Sequence, residues 1–408
     1  MVHDRAAGRR WHVALVVENI PLAADHRLRK QVETLLSAGH RVSVVTRRDP
    51  ANAAYRRRRG LTLLEYPPPP EPEGPLGYVR EYAWSFLCAA LLLGWLRLRG
   101  RIDTLQLCQP PDVYFPLARV LRWGGARIVV DQRDLMPEIL AARYPRAPLL
   151  MTRALYLLER RTQRVADRTV TVNHALVDRL VGAGARPEDV SVVWNGPVLA
   201  RVEETSPDPA LRRPGRRLIV WVGKMGLQDR VDLVLTLAET VVRRLGRSDC
   251  TFVLLGDGEC LDELRSRTSD LGLDDWVRFT GWVPEETVFR HLASADIGLD
   301  TSLQEEVTPV KAIEYMAFGL PIACFDLSQT RGLVDGAAVL APPGDVEALA
   351  RVLVGLLDDE PVRQRLAEEG RRRVETRLSW ERQEAAYLGA VGPAPRYGRA
   401  PAPPILHR

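Results

Sequence analysis

Runs rich in Val and Ile alternate along the chain with longer amphipathic stretches, and no hairpin signals join them. The first repeat reads "WHVALVV", "DHRLRKQVETLLSAGH", "RVSVVT": apolar strand, amphipathic helix closed by Gly39, apolar strand. That is a βαβ unit. After the proline-rich "YPPPPEPEGP" and an apolar stretch come "IDTLQLCQ", a helix over about 112–123, "ARIVVDQRD", a helix over about 147–166, "RTVTVN" and "VSVVWNG". Strands of this composition, separated by helices, predict a parallel sheet covered on both faces. The pattern breaks at "VEETSPDPALRRPGRR" and restarts with "LIVWVGKMG", "CTFVLLGDGE", "VRFTGWV", "DIGLD", "PIACFD" and "AAVLAPP", each followed by helical spacing. The predicted class is α/β, two doubly wound domains in tandem. The expected bounds are 1–201, a linker 202–217, a second domain 218–378, a C-terminal helix 379–391 and a flexible Pro/Gly-rich tail 392–408.

Composition narrows the function. A chain of 408 residues exceeds what one core organises, which agrees with two domains. The net charge of +5 is made of 57 cations interspersed with 52 anions, without a one-sign stripe. That disfavours nucleic acid but leaves an anionic substrate or a membrane surface open. Cys88, Cys108, Cys250, Cys260 and Cys324 form no CxxC pair and read as thiols of a reducing compartment, so a cytoplasmic location is expected. The histidines have no partners at metal-ligand spacing, so neither a metal nor a cofactor is expected. The longest uncharged stretch, "YAWSFLCAALLLGWL", is 15 residues, short of a spanning helix. It reads as a buried helix, or as an interfacial one over Tyr82 to Arg101, whose arginines would meet lipid phosphates at the inner face of the membrane.

Only three of the cations are lysines, Lys30, Lys224 and Lys311, and two of them follow strands. In open α/β sheets ligands bind at the carboxyl ends of strands. After "LIVWV" comes "GKMGLQD", where Gly223 and Gly226 let amides approach an anion and Lys224 adds a charge. "GDGE", with Gly256, Asp257 and Gly258, could lie against a ligand, and "GWVPEE" presents an aromatic turn. After "IGLD" comes "EVTPVKAIEYMAFGLP", where Thr308 and Pro309 read as N-cap and first residue of a helix. The helix start and Lys311 would face phosphate. Glu314, one turn on, would accept hydrogen bonds from hydroxyls, and Glu306 lies just before the helix. A diol and a diphosphate read together describe a nucleotide sugar.

"EVTPVKAIEYMAFGLPIA" resembles the two glutamates, separated by seven residues, of family 4 retaining glycosyltransferases of the GT-B fold. It is closest to the subgroup whose motif reads like "SPNK-xxEYMAxGLP". "VVDQRDLMPE" is similar to that subgroup's "DIRDLWPE", "VWNGP" to its "V-NG", "VGKMGLQDRVD" to its "GNIG-AQGLD", and "RLSWERQ" to its terminal "FSWE" helix. The resemblance implies two Rossmann-like domains with a donor and acceptor cleft between them. It also implies transfer of a sugar from a nucleotide sugar, UDP-linked by expectation, to a hydroxyl of a lipid-linked glycan or a natural-product aglycone, with anomeric retention.

Carried over by position, Glu314 would bind the donor ribose and Glu306 would lie near the donor sugar. Lys224 and Arg230 would neutralise the diphosphate, Thr308 and the amides after it would contact phosphate, and Val283 would border the base. Asn195, at the "V-NG" strand end, would join the donor side. Asn19, Asp25, Arg133, Asp134 and Gln109 would line the sugar and acceptor side, Arg133 and Asp134 near the chemistry. The chain departs from the family pattern in having "ENIP" where a glycine pair is common, and Asp229 or Arg230 where many members have a second cation. Plain structural readings stand beside these: Asp25 as a helix cap, Arg133 with Asp134 as an internal ion pair, Lys30 as a solvated helix residue. Two other functions fit the same fold, a sugar-nucleotide epimerase or hydrolase and a non-catalytic scaffold.

Overall fold

The structure is a computed structural model that describes residues 10–18, 20–69, 74–144, 148–305 and 308–392. It divides into two compact units, one of residues up to Val193 together with those from Glu384 on, the other Trp194–Gln383. The stretch 202–217 lies in the second unit and is tied to it. The Asp208 amide donates to Ser294 Oγ at 2.8 Å, and the Arg212 guanidinium donates to Asp296 at 2.6 Å.

The first unit holds seven strands: β1 (His12–Val16), β2 (Arg41–Arg47), β3 (Leu61–Tyr66), β4 (Thr104–Gln109), β5 (Arg127–Gln132), β6 (Arg168–Thr171) and β7 (Val190–Val192). They pair in the order β3-β2-β1-β4-β5-β6-β7, in parallel throughout. The central strands β1, β4 and β5 are buried along nearly their whole length, as expected of Val/Ile runs covered on both faces. The edge strand β3 was not anticipated. Its sequence "LTLLEY" follows four arginines and shows little alternation, because an edge strand buries only its ends here.

The second unit holds β8 (Arg217–Val222), β9 (Cys250–Leu255), β10 (Val277–Gly281), β11 (Ile297–Asp300), β12 (Ile322–Phe325) and β13 (Ala338–Ala341), in the order β10-β9-β8-β11-β12-β13. All pairings are parallel. One face packs Trp221, Phe252 and Leu254 against Val234, Leu237 and Leu353. The other packs Val220 and Leu255 against Ile313, Met316 and Leu292. Burying one such large apolar side chain contributes about 3 kcal/mol. In each sheet the strand order reverses once, between β1 and β4 in the first and between β8 and β11 in the second, and ligands of such sheets bind at that reversal.

Two helices depart from the simple alternation. The helix Trp380–Val391 begins in the second unit, where the Trp380 amide donates to the Pro197 carbonyl at 2.9 Å. It ends in the first, where the Tyr387 hydroxyl donates to Gln106 at 2.8 Å. The helix Gly74–Arg99 is much longer than the uncharged core of its sequence suggests. By length and composition its part Gly77–Arg99 is sufficient to cross a membrane, yet Ala89, Leu93 and Leu96 are buried in the first unit's core.

Candidate functional site

A cavity of about 290 Å³ opens at the strand-order reversal of the second unit. Its wall is formed by Val222 and Gly223 at the end of β8, Asp229 in the turn beyond, Asp300 at the end of β11, and Ser302 and Gln304 after it. Thr308, Pro309, Lys311 and Glu314 lie on or next to the helix Val310–Ala317, and Leu327 and Thr330 follow β12. Five residues singled out in the sequence, Gly223, Thr308, Pro309, Lys311 and Glu314, therefore share one wall.

The helix Val310–Ala317 is pinned in place by Tyr315, whose fully buried hydroxyl accepts from the Val222 amide at 2.9 Å and donates to the Leu299 carbonyl at 3.1 Å. The ring packs against β11, where a Cβ at Gly298 would come within 2.5 Å of it. Helix and strand ends are thus fixed to each other by one side chain. The N-cap is Pro309, one residue later than the Thr308 cap expected, and as a proline it offers no side-chain cap hydrogen bond of its own. Its first turn carries no acidic residue, so the positive end of the helix faces the cavity without an internal counter-charge.

Lys311 stands in that first turn with its ammonium 3.3 Å from Asp300 Oδ1 and 4.3 Å from the centre of the Trp221 ring. Asp300 also accepts from the Ser302 amide at 3.1 Å. Asp229 completes the charged set: burial raises its pKa from the ordinary aspartate value, and the Lys311 and Lys224 charges oppose the rise. The sequence reading missed Asp300 as a site residue and gave Asp229 only as a departure from pattern. Asp300 ends β11 and Asp229 follows β8, the two strands of the reversal, which was the signal available.

Other candidates fall elsewhere. Lys224 is exposed and outside the cavity wall, though its charge reaches Asp229. Gly226 is buried beside it as the residue before the turn Leu227–Asp229. Arg230, expected as a diphosphate cation, lies outside the cavity wall and its guanidinium donates to Asp232 through two hydrogen bonds of 3.0 Å. The glycines of "GDGE" meet the chain itself rather than the cavity. A Cβ at Gly256 would come 1.8 Å from the Gly223 carbonyl oxygen, and one at Gly258 2.5 Å from that of Met225. The Met225 amide donates to the Asp257 carbonyl at 2.9 Å, so the two loops lie backbone to backbone. Val283 packs at the edge of the second unit's core, and Asn195 is half-buried in the same unit.

In the first unit Asp25 caps the helix His26–Ser37, accepting from the Leu28 amide at 2.9 Å. Its second oxygen accepts from Arg133. Arg133 also donates to Asp131 at 3.0 Å, so the ion pairs read as Arg133 with Asp134 run instead to Asp25 and Asp131. Asp134 is exposed, and its carbonyl accepts from Gln132 at 2.9 Å. Asp131 is fully buried among Arg27, Gln31 and Arg133. Those two guanidiniums outweigh its burial and hold its pKa down to about 2. Gln109 ends β4 at the reversal of this sheet, 1% exposed, with neither amide atom hydrogen-bonded. Asn19 and Glu306 lie outside the described residues. Among the described residues no group of three His, Cys, Asp or Glu side chains is placed to hold a metal ion.

Both units match known protein families. Residues 23–196 match the glycosyl transferase 4-like domain and residues 216–359 match glycosyl transferases group 1. A 2-deoxystreptamine N-acetyl-D-glucosaminyltransferase of Streptomyces fradiae is 30% identical over 272 residues, 66% of this chain and 58% of that protein. The matched part thus spans little more than half of that relative. The MMP alpha-(1->4)-mannosyltransferase of Mycolicibacterium hassiacum is 29% identical over 75% of this chain and 73% of its own. The crystal structure of Anabaena HepE in complex with UDP superposes with a TM-score of 0.68 at 15% identity, covering 92% of this chain and 98% of that one. Two domain matches in the order of the two sheets, and relatives of one kind, show that the chain belongs to the family 4 glycosyltransferases of GT-B fold.

Proposed function

We propose that the chain transfers a sugar from a UDP-linked donor to a hydroxyl acceptor, with retention at the anomeric carbon and without a metal. The observation that carries the reading is the cavity in which Glu314, the start of the helix Val310–Ala317 and Lys311 converge. A carboxylate one turn along a helix receives a ribose diol, while the amides and ammonium at its start receive a diphosphate.

In the step itself the bond between the anomeric carbon and the diphosphate oxygen breaks as positive charge grows on the sugar. The leaving oxygen gains negative charge where the helix start and the lysines lie, and stabilisation placed there lowers the barrier. The acceptor oxygen bonds to the anomeric carbon on the face the diphosphate leaves, and its proton passes to the departing phosphate. The acceptor is a polyol natural product or a lipid-linked glycan, reached in the cytoplasm. The curated relative that acts on 2-deoxystreptamine supports including aminocyclitols in the trial panel.

Thermal-shift titration with UDP-, GDP-, ADP- and TDP-sugars tests the donor. Product NMR with the stabilising donor and an acceptor panel then tests transfer and retention. Stabilisation by none of the nucleotides overturns the reading. Donor turnover without any acceptor would instead make the chain a hydrolase or epimerase.

A further inference from the structure

The helix Gly74–Arg99 carries two apolar stripes, and the first unit uses only one. Ser85, Ala89, Leu93 and Leu96 point into the core, at spacings of three and four. Leu87, Leu91 and Leu98, at spacings of four and seven, lie on the opposite face, 58%, 75% and 90% exposed. A helix apolar all round normally has apolar surroundings on all sides, and here most of the candidate span is outside the core.

A second helix enlarges the bare face. The helix Phe115–Trp123 ends beside the end of Gly74–Arg99, where Arg101 reaches the Gly125 carbonyl at 3.5 Å and Arg97 lies against Gly124. It presents Val120 and Trp123, 60% and 75% exposed. At this joint the aromatic rings are covered by cations, Arg99 at 3.9 Å over Trp95 and Arg119 at 5.4 Å over Trp123. Residues 82–101 and 113–126 contain no carboxylate. Arg101 and Arg122 are neutralised by Asp103 and Asp167. Arg97, Arg99 and Arg119 have no carboxylate partner among the described residues.

We infer that this face docks on an anionic lipid surface, with the leucines and Trp123 in the acyl boundary and the arginines among the phosphates. Tryptophan stacked under arginine beside bare leucines is the chemistry of a membrane interface, where a ring sits at headgroup level and a guanidinium meets phosphate. A second copy of the chain would place the same uncompensated cations opposite one another. Because Ala89, Leu93 and Leu96 remain in the core, the helix lies on the bilayer rather than crossing it. This inference stands apart from the transfer reading, and nucleotide binding by the same preparations separates a failure of one from a failure of the other.

The test is flotation of the full chain with vesicles of phosphatidylcholine containing phosphatidylglycerol, and with phosphatidylcholine alone. Binding at least about tenfold stronger to the anionic vesicles is expected, weakening with salt. The variants Leu91→Glu/Leu98→Glu and Arg97→Gln/Arg99→Gln/Arg119→Gln should each lose about tenfold or more. Their melting temperatures and nucleotide binding should stay at wild-type values, since these side chains are exposed. Equal flotation of wild type and variants overturns the inference. So does a dimer dissolved by the leucine variant without any vesicle binding, or carbonate-resistant membrane insertion.

Discussion

The Lys311 ammonium and the Asp300 carboxylate pair at 3.3 Å inside the candidate donor cavity, with side-chain exposures of 14% and 3%. A cation in the first turn opposes the helix dipole, at a cost of about 0.3–1 kcal/mol. Asp300 and the Trp221 face under the ammonium offset that cost. Lys311 is therefore a positioned charge, already desolvated before any ligand arrives.

Removing one partner of such a pair leaves the other buried without compensation. Lys311→Met is expected to lose about 3 kcal/mol of stability in urea titration. The double variant Asp300→Asn/Lys311→Met should lose clearly less than the sum of the single losses. Strict additivity of the two would mean the pair is not coupled.

Glu314 lies on the same wall as Lys311, where a ribose diol is expected. Glu314→Gln should weaken UDP binding about tenfold or more, the scale of a hydrogen bond to a charged acceptor, with the melting temperature unchanged. UDP lacking both ribose hydroxyls should bind wild type and variant alike. Equal UDP affinity in calorimetry would remove Glu314 from the site.

The parallel sheets and the motif that lines the cavity were legible in the sequence because Val/Ile runs and strand-end positions are local features. Lys311 and Glu314 could be placed on one wall from their spacing alone. What was not legible depends on partners distant in sequence. Arg133 finds Asp25, 108 residues away, rather than its neighbour Asp134. The glycines of "GDGE" owe their small size to the loop after β8 rather than to a ligand. Edge strand β3, only partly buried, shows too little alternation to be distinguished from a loop.

Gly256→Ala tests that loop contact. The added methyl would overlap the Gly223 carbonyl, and φ at Gly256 is +140°, a region that only glycine adopts readily. The variant should melt several degrees lower and bind UDP more weakly, because Gly223 lies in the cavity wall. A variant with wild-type melting and binding would show that the loops separate without cost.

Asp229 faces the cavity with its pKa raised, burial being the largest cause. It is neutral below that raised value and anionic above it, so an anionic donor meets more repulsion as pH rises through it. Asp229→Asn should tighten UDP binding at pH 8 by about threefold to tenfold and remove this part of the pH dependence. Isothermal titration at several pH values from 4 to 8 reads both effects. Weaker binding in the variant at both pH values would show that Asp229 helps to hold the ligand.

Glu18 gives a pH signature in the first unit, distant in sequence from the donor cavity. It follows β1, is 2% exposed, and burial, then the Glu81 charge, pushes its pKa from 4.5 up to about 7. The folded value lies above the unfolded one, so the protonated carboxyl supports folding below pH 4.5. That support is lost as pH rises through about 7. A rise of this size corresponds to about 3 kcal/mol once the group is fully ionised. Glu18→Gln keeps the shape and a donor toward Glu81 but cannot ionise. It should match wild type in urea titration near pH 4.5 and exceed it by about 1–3 kcal/mol at pH 8. A constant difference across that range would assign the effect to packing instead of to ionisation.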